Sequence, residues 1–275
     1  MSNQPYPDLD QLLKSIGEAG KRVSDLGACE GASGNISICC RWQMNLKNHF
    51  PLVEEIDLPQ SVPSLAGAIL LVTGSGRRLR EIIDNPCANL GCVVINPGGE
   101  TAKLHTSPLH LFTKLTSEFN SHLAVHANQA LNSADNFHAL IHAQPPHLTY
   151  LTHVRQYQDE VKLNKRLFRW QPETIMMLPE GLGYVPFISP GSKKLSTKTV
   201  ASLEKHRIVV WGKHGVMVSS HHSMKQAVDY IEYVETAARY ETINLLLGEI
   251  AEGLSDDDIR QICHTFQLDT LFFGG

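Results

Sequence analysis

Apolar residues recur along this chain with two different periods, and the changes between them mark out its elements. In residues 8–27 (DLDQLLKSIGEAGKRVSDLG) they fall at Leu9, Leu12, Leu13, Ile16 and Val23, the spacing of one helix face, and Gly27 is a suitable stop. GNISICC and GAILLVTGSG are short apolar or β-branched runs ending in small residues, a pattern of buried strands that deliver loops to a site. CVVINPGGETAKL, with Pro97-Gly98-Gly99 at its centre, reads as a hairpin. Helical spacing returns from Ser117 to Leu131, with Thr116 or Ser117 as the cap and Glu118 in the first turn. HALIHAQPP is a short buried strand running into a turn, and Pro145 and Pro146 suit the start of the following helix. TIMMLPEGLGYVPF is expected to form strand, turn and strand. RIVVWGKHGVMVSS is expected to form a hairpin around Gly212–Gly215, and SMKQAVDYIEYVETAARYETINLLLGEI a long amphipathic helix.

Strands outnumber crossover helices in this reading. The expected fold class is therefore α/β, a single domain over residues 1–275 with a central mixed or antiparallel sheet flanked by helices, and not a doubly wound sheet. An apolar content of 42% is enough for a substantial core. The net charge of -4 gives no general basic field, and GRRLR at 76–80 is too short to change that, so no nucleic-acid partner is expected. No apolar run is long enough to span a bilayer, so no membrane partner is expected either. The six cysteines show neither paired CxxC spacing nor the density of a secreted scaffold, and MSNQPYPDLD lacks the basic and apolar regions of a signal peptide. The expected location is the reducing cytoplasm.

Fourteen histidines, mostly between His105 and His222, make metal or proton chemistry a candidate. Three small polar clusters at element ends, ASGN (32–35), TGSG (73–76) and TSE (116–118), turn backbone N–H groups and hydroxyls toward one point. Such nests suit a phosphate without any lysine, although each alone is also ordinary turn chemistry. His142 ends the run HALIH, and His214 sits in the second hairpin. Either alone could be a satisfied structural histidine. Together they could hold one divalent ion if the fold brings them together, with Gln144, two residues after His142, on the same side of an extended segment. An amide oxygen is neutral and a weaker zinc partner than imidazole, so the site would accept other divalent ions more readily. Glu118, at a helix start, stays ionised by default, and in a dry pocket it can shuttle a proton.

The blocks LGACEGASGNIS, LLVTGSGRRLR, KLTSEFNSH, LIHAQPPHLTYL, LPEGLGYVPFISPGS and RIVVWGKHGVMV, in this order, make the chain resemble the class II aldolase/adducin family over nearly its whole length. VTGSG and the PxGxGxxPxxxPG pattern point to the branch acting on rhamnulose 1-phosphate. The resemblance implies a metal-dependent lyase that splits this phosphorylated ketose by a retro-aldol reaction, giving dihydroxyacetone phosphate and lactaldehyde. It implies a divalent cation, zinc before others, held by His142 and His214 with Gln144. It implies Glu118 as general acid/base, and Glu173 as a residue assisting catalysis from a neighbouring subunit of a homotetramer. Ser33, Gly34, Asn35, Ser75, Gly76, Thr116 and Ser117 would hold the phosphate. Two positions depart from the family pattern: His142-Ala143-Gln144 replaces the usual HxH, and Ala32 replaces an asparagine. Two other family roles are weighed beside the aldolase. One is a ketopentose-phosphate 4-epimerase, in which aspartate usually stands at the position of Glu118. The other is a non-catalytic, adducin-like binding protein.

Overall fold

The first helix, α1 (Leu9–Asp25), begins where Asp8 accepts the Gln11 N–H at 2.9 Å and the Gln11 side chain accepts the Asp8 N–H at 3.0 Å. This reciprocal cap satisfies donors that a helix start otherwise leaves open. The buried stripe of α1 includes Leu9, Leu12, Leu13, Ile16 and Val23, as the spacing predicts, and Gly27 just beyond its end has φ +74°. This is a computed structural model, and it describes residues 6–270 and Phe272.

After α1 come β1 (Asn35–Cys40), β2 (Leu52–Asp57), β3 (Ile69–Thr73), α2 (Pro86–Asn89), β4 (Leu90–Ile95) and β5 (Thr101–Thr106). Then follow α3 (Phe119–Asn132), β6 (Phe137–Ala143), α4 (Pro146–Leu151), α5 (Glu160–Phe168), α6 (Pro172–Met177), β7 (Leu182–Val185) and α7 (Lys193–Leu203). The chain continues through β8 (Ile208–Trp211), β9 (Gly215–Ser220), α8 (Met224–Leu246) and α9 (Asp256–Phe266). The strands join in one sheet of order β2-β5-β4-β3-β1-β6-β9-β8-β7. Each pair is antiparallel except β7 with β8, which is parallel. The sheet is mixed and helix-flanked, as expected. Because side chains alternate along a strand, Ile36, Ile38 and Cys40 face the core shared with α1 and α8, while Cys39 joins the opposite layer with Phe119 and Leu123 of α3.

Most of the predicted elements form where the pattern puts them, including both hairpins and the strand through His142. Pro146 occupies the first turn of α4. Three readings need correction. TIMM is helical, within α6: Pro172 presets the first turn and Glu173 complements the helix dipole, which outweighs the strand preference of Thr174 and Ile175. Glu118 is the N-cap of α3, not part of its first turn, and neither Thr116 nor Ser117 caps that helix. The edge strand β2 was not anticipated, because LVEEID is largely exposed and has no buried stripe to give it away.

Two glycines in α1 allow it to lie close against the segment that follows TGSG. A Cβ on Gly20 would come 2.4 Å from the Leu79 carbonyl oxygen, and one on Gly17 would come 2.7 Å from Ile83 Cα. A helical glycine costs about 1 kcal/mol relative to alanine, so the close approach must offset that penalty. We expect Gly20→Ala to lower stability by about 1–3 kcal/mol despite its better helix propensity. Urea denaturation measures this, and a raised midpoint would mean that the helix can move away without cost.

Candidate active site

Separate chain segments meet at one end of the sheet around a cavity of about 180 Å³. Its lining contains Ser33, Gly34, Asn35, Ser75, Gly76, Thr116, Ser117, Glu118, His142, Gln144 and His214. Every site residue expected from the sequence therefore borders this cavity except Glu173. Glu173 lies exposed in the first turn of α6 and is not among the lining residues.

The register of the sheet sets the site. Asn35 of β1 lies opposite His142 of β6, and His142 lies opposite Met217 of β9. His214 belongs to the turn entering β9, where Lys213 takes φ +63° and the His214 N–H donates to the Trp211 carbonyl at 2.9 Å. Gly215 is needed there: at φ +150°, a Cβ would meet the Ala143 carbonyl oxygen at 2.3 Å. Its absence brings His214 beside the end of β6, with the two imidazole centroids 4.8 Å apart and the Trp211 ring packed on both.

His142 Nδ1 donates to the Val216 carbonyl at 2.8 Å, which leaves Nε2 as the free lone pair of the neutral ring. That Nε2 lies 3.5 Å from Glu118 Oε2, and His214 Nε2 lies 3.5 Å from Glu118 Oε1. Glu118 Oε2 also accepts the Asn35 amide N–H at 2.9 Å. The ligand atoms of Glu118, His142 and His214 lie within 4.8 Å of one another. His214 Nδ1 is buried without a hydrogen-bond partner. Two imidazole nitrogens and a carboxylate facing one another in a buried site are short of positive charge, and this donor set fits a divalent cation. Gln144 donates its own N–H to the Ala28 carbonyl at 2.7 Å and borders the same cavity. His147 and His138, the other nearby histidines in sequence, are not in the cluster. His147 pairs with Glu235 at 2.6 Å, and His138 lies in a buried row described below.

The phosphate-type clusters show a matching deficit. The Ser33 hydroxyl is buried with no partner, and no lysine or arginine is among the lining residues described. The Ser75 and Thr116 N–H groups are already used, on the carbonyls of Lys114 and Thr73. The Ser33 hydroxyl is thus an open donor, whereas the Ser75 and Thr116 N–H groups are not. The loop before α7 closes this side, with Asn120 donating to the Gly191 carbonyl at 2.9 Å.

Burial alone would raise the Glu118 carboxyl, but His142, the Asn35 amide and His214 outweigh it, and the group lies below the ordinary glutamate value. Burial and the neighbouring His142 charge push His214 down to about 4, against the opposing pull of Glu118. Behind the cavity, sequence reading missed His122 and His126, four and eight residues after Glu118 on one face of α3. That spacing was the available signal. Burial holds His122 down to about 4, His138 down to about 3 and His126 well below its ordinary value.

Fold and site together define a carbon–carbon lyase of the class II aldolase type. The chain belongs to the family described as class II aldolase and adducin N-terminal domain, which matches residues 14–242. Among curated relatives, rhamnulose-1-phosphate aldolase of Listeria monocytogenes serotype 4a is 24% identical over 270 residues, covering 94% of each chain. The enzyme of the same name from Bacteroides thetaiotaomicron is 25% identical over 264 residues, covering 95% of this chain and 96% of its own. Among solved structures, a sugar-phosphate aldolase from Thermotoga maritima superposes with TM-score 0.72 at 28% identity, covering 87% of this chain and 97% of that one. L-fuculose-1-phosphate aldolase from Thermus thermophilus, at TM-score 0.55 and 15% identity over 88% of this chain and 98% of its own, shares the fold.

The buried histidines have a consequence for acid stability. Their pKa values in the folded chain are depressed, so the unfolded chain binds protons first as pH falls below about 6.5. We expect stability to be fully present above that pH and to fall toward pH 4, by up to about 1.4 kcal/mol per pH unit for each of His122, His126 and His138. Urea midpoints measured from pH 7.5 to 4.5 test this. A midpoint flat down to pH 5 would show that these rings are charged in the folded protein.

Proposed function

We propose that this chain cleaves rhamnulose 1-phosphate to dihydroxyacetone phosphate and lactaldehyde, with a divalent cation, zinc first, held by His142 and His214 and completed by Gln144 or water. The observation that carries this reading is the buried triangle in which two imidazole nitrogens each lie 3.5 Å from one Glu118 oxygen. The relatives named rhamnulose-1-phosphate aldolase favour that substrate. The working form is proposed to be a cytoplasmic homotetramer, in which Glu173, outside its own cavity, serves a neighbouring subunit's site.

Retro-aldol cleavage removes a proton from the hydroxyl on the β-carbon and breaks the bond to the α-carbon. Negative charge then builds on the α-carbon and its carbonyl oxygen. A divalent cation supplies Lewis-acid stabilisation of that charge. Glu118, ionised and aimed by Asn35, takes that hydroxyl proton and returns it to the α-carbon once the bond has broken. The hydroxyls of Ser33, Ser75, Thr116 and Ser117 bind the phosphate with neutral donors, and so fix the far end of the substrate relative to Glu118. The buried strand β6 and the Trp211 ring back the two imidazoles and keep water from that side of the cavity.

Cation-loaded protein is expected to release dihydroxyacetone phosphate from rhamnulose 1-phosphate in a coupled dehydrogenase assay. Cleavage of a different 1-phosphoketose in its place would overturn the substrate, and 4-epimerisation of a pentulose phosphate would overturn the reaction. Glu118→Gln should lower kcat about 10²- to 10⁴-fold even when the variant is assayed at saturating cation, so that the loss reads proton transfer and not weaker cation binding. Gln144→His should tighten zinc binding by roughly tenfold or more, since imidazole replaces a neutral amide. Equal zinc affinity in the two proteins would mean that residue 144 does not face the ion.

A further inference from the structure

A continuous row of buried polar side chains runs from Glu118 under α3, away from the cavity. The Asn35 amide donates to Glu118, and Asn35 Oδ1 meets His122 Nε2 at 2.5 Å. His122 Nδ1 meets Ser37 Oγ at 2.6 Å, and Ser37 Oγ meets His126 Nε2 at 2.7 Å. His126 Nδ1 meets His138 Nδ1 at 2.8 Å, and His138 Nε2 meets Ser219 Oγ at 2.8 Å. Ser37, His122, His126 and His138 are all at most 4% exposed, so water does not compete for these bonds.

We infer that His122, with Ser37, His126, His138 and Ser219 behind it, forms a positioning relay, a one-directional chain of hydrogen bonds that holds the Asn35 N–H toward Glu118. The direction follows from the two ends of Asn35. An ionised carboxylate only accepts, so the amide N–H faces Glu118 and the amide oxygen faces His122. His122 must then donate from Nε2, and its Nδ1 must accept the Ser37 hydroxyl proton. Ser37 Oγ in turn accepts from His126 Nε2. His126 Nδ1 accepts from His138 Nδ1, and His138 Nε2 accepts from Ser219. Each link leaves only one tautomer for the next. Every ring is neutral, as burial requires, and bonds aligned in one sense polarise and strengthen one another.

The row orients Glu118 and does not conduct protons to it. Asn35 stands between His122 and Glu118, and an amide passes no proton without first becoming its imidic acid. His122 is therefore a positioning residue that acts through Asn35. It also follows that Asn35, placed with the phosphate group by sequence reading, has its oxygen and one N–H committed to this row. The direction of the row stands on the hydrogen bonds alone, while its effect on turnover rests on the aldolase reading.

Two measurements test the relay. In ¹⁵N-labelled wild-type protein, imidazole nitrogen shifts should show Nε2–H at His122 and His126 and Nδ1–H at His138. Nδ1–H at His122, or averaged nitrogens there, overturns the proposal without bearing on the aldolase assignment. Kinetically, Ser37→Ala and His122→Leu should lower kcat about 10- to 100-fold, with KM within about twofold and cation content retained. His122→Gln, whose amide still donates to Asn35, should recover most of that loss. Wild-type kcat in Ser37→Ala or His122→Leu, or no recovery in His122→Gln, overturns the positioning role. If wild-type protein cleaves no sugar phosphate, the proposed activity fails, and the imidazole spectrum still decides the relay.

Discussion

The pairing of Asn35 with His142 across β1 and β6 is the constraint on which the rest of the site depends. It puts Asn35 and Ser37 on the sheet face covered by α3, beside His138 and His142 on the same face of β6. A slip of one residue in β1 would turn Asn35 and Ser37 to the opposite layer, beside Ile141, and bring Ile36 and Ile38 to the α3 face in their place. The next register, β6 against β9, supplies the Val216 carbonyl that fixes the His142 tautomer. Glu118 then needs only to arrive from the start of α3 for the triangle to close.

This arrangement places electrostatic work in a buried setting, where it is strongest. Glu118 keeps its charge because neighbouring groups outweigh the cost of burial, while the histidines behind it lose theirs because nothing does. One region thus holds an anion and a row of neutral rings side by side. The cavity also gathers acceptors and hydroxyls without lysine or arginine among its described lining residues, which suits an ion and a phosphorylated ligand arriving together. Donors already aimed need no rearrangement when charge develops.

Much of this was legible in the chain. Strong periodicity located α1 and α8, short β-branched runs located β1, β3 and β6, and Gly-rich turns located both hairpins. Most cavity-lining residues were legible because they lie at element ends, three groups marked by small polar residues and the others by His142, with Gln144 beside it, and His214. What escaped notice has local causes. β2 is an edge strand with charged residues on it, held by its pairing with β5. α6 is a helix of six residues whose β-branched pair looks like a strand. His122 and His126 read as ordinary histidines on a helix, because their partners Ser37, Asn35 and His138 lie on two other strands.

The sequence by itself determined the alternation of periods, and hence the elements, the mixed sheet and the positions from which polar groups reach a common end. Those are properties of neighbours along the chain, and local sterics and burial decide them. Only the tertiary structure decided that Asn35 turns to Glu118, that Gln144 borders the same cavity as both imidazoles while Glu173 does not, and that three histidines align in a single sense. Hydrogen-bond direction links Asn35 to His122, 87 positions away, strand register links Asn35 to the still more distant His142, and no local pattern encodes which donor will meet which acceptor.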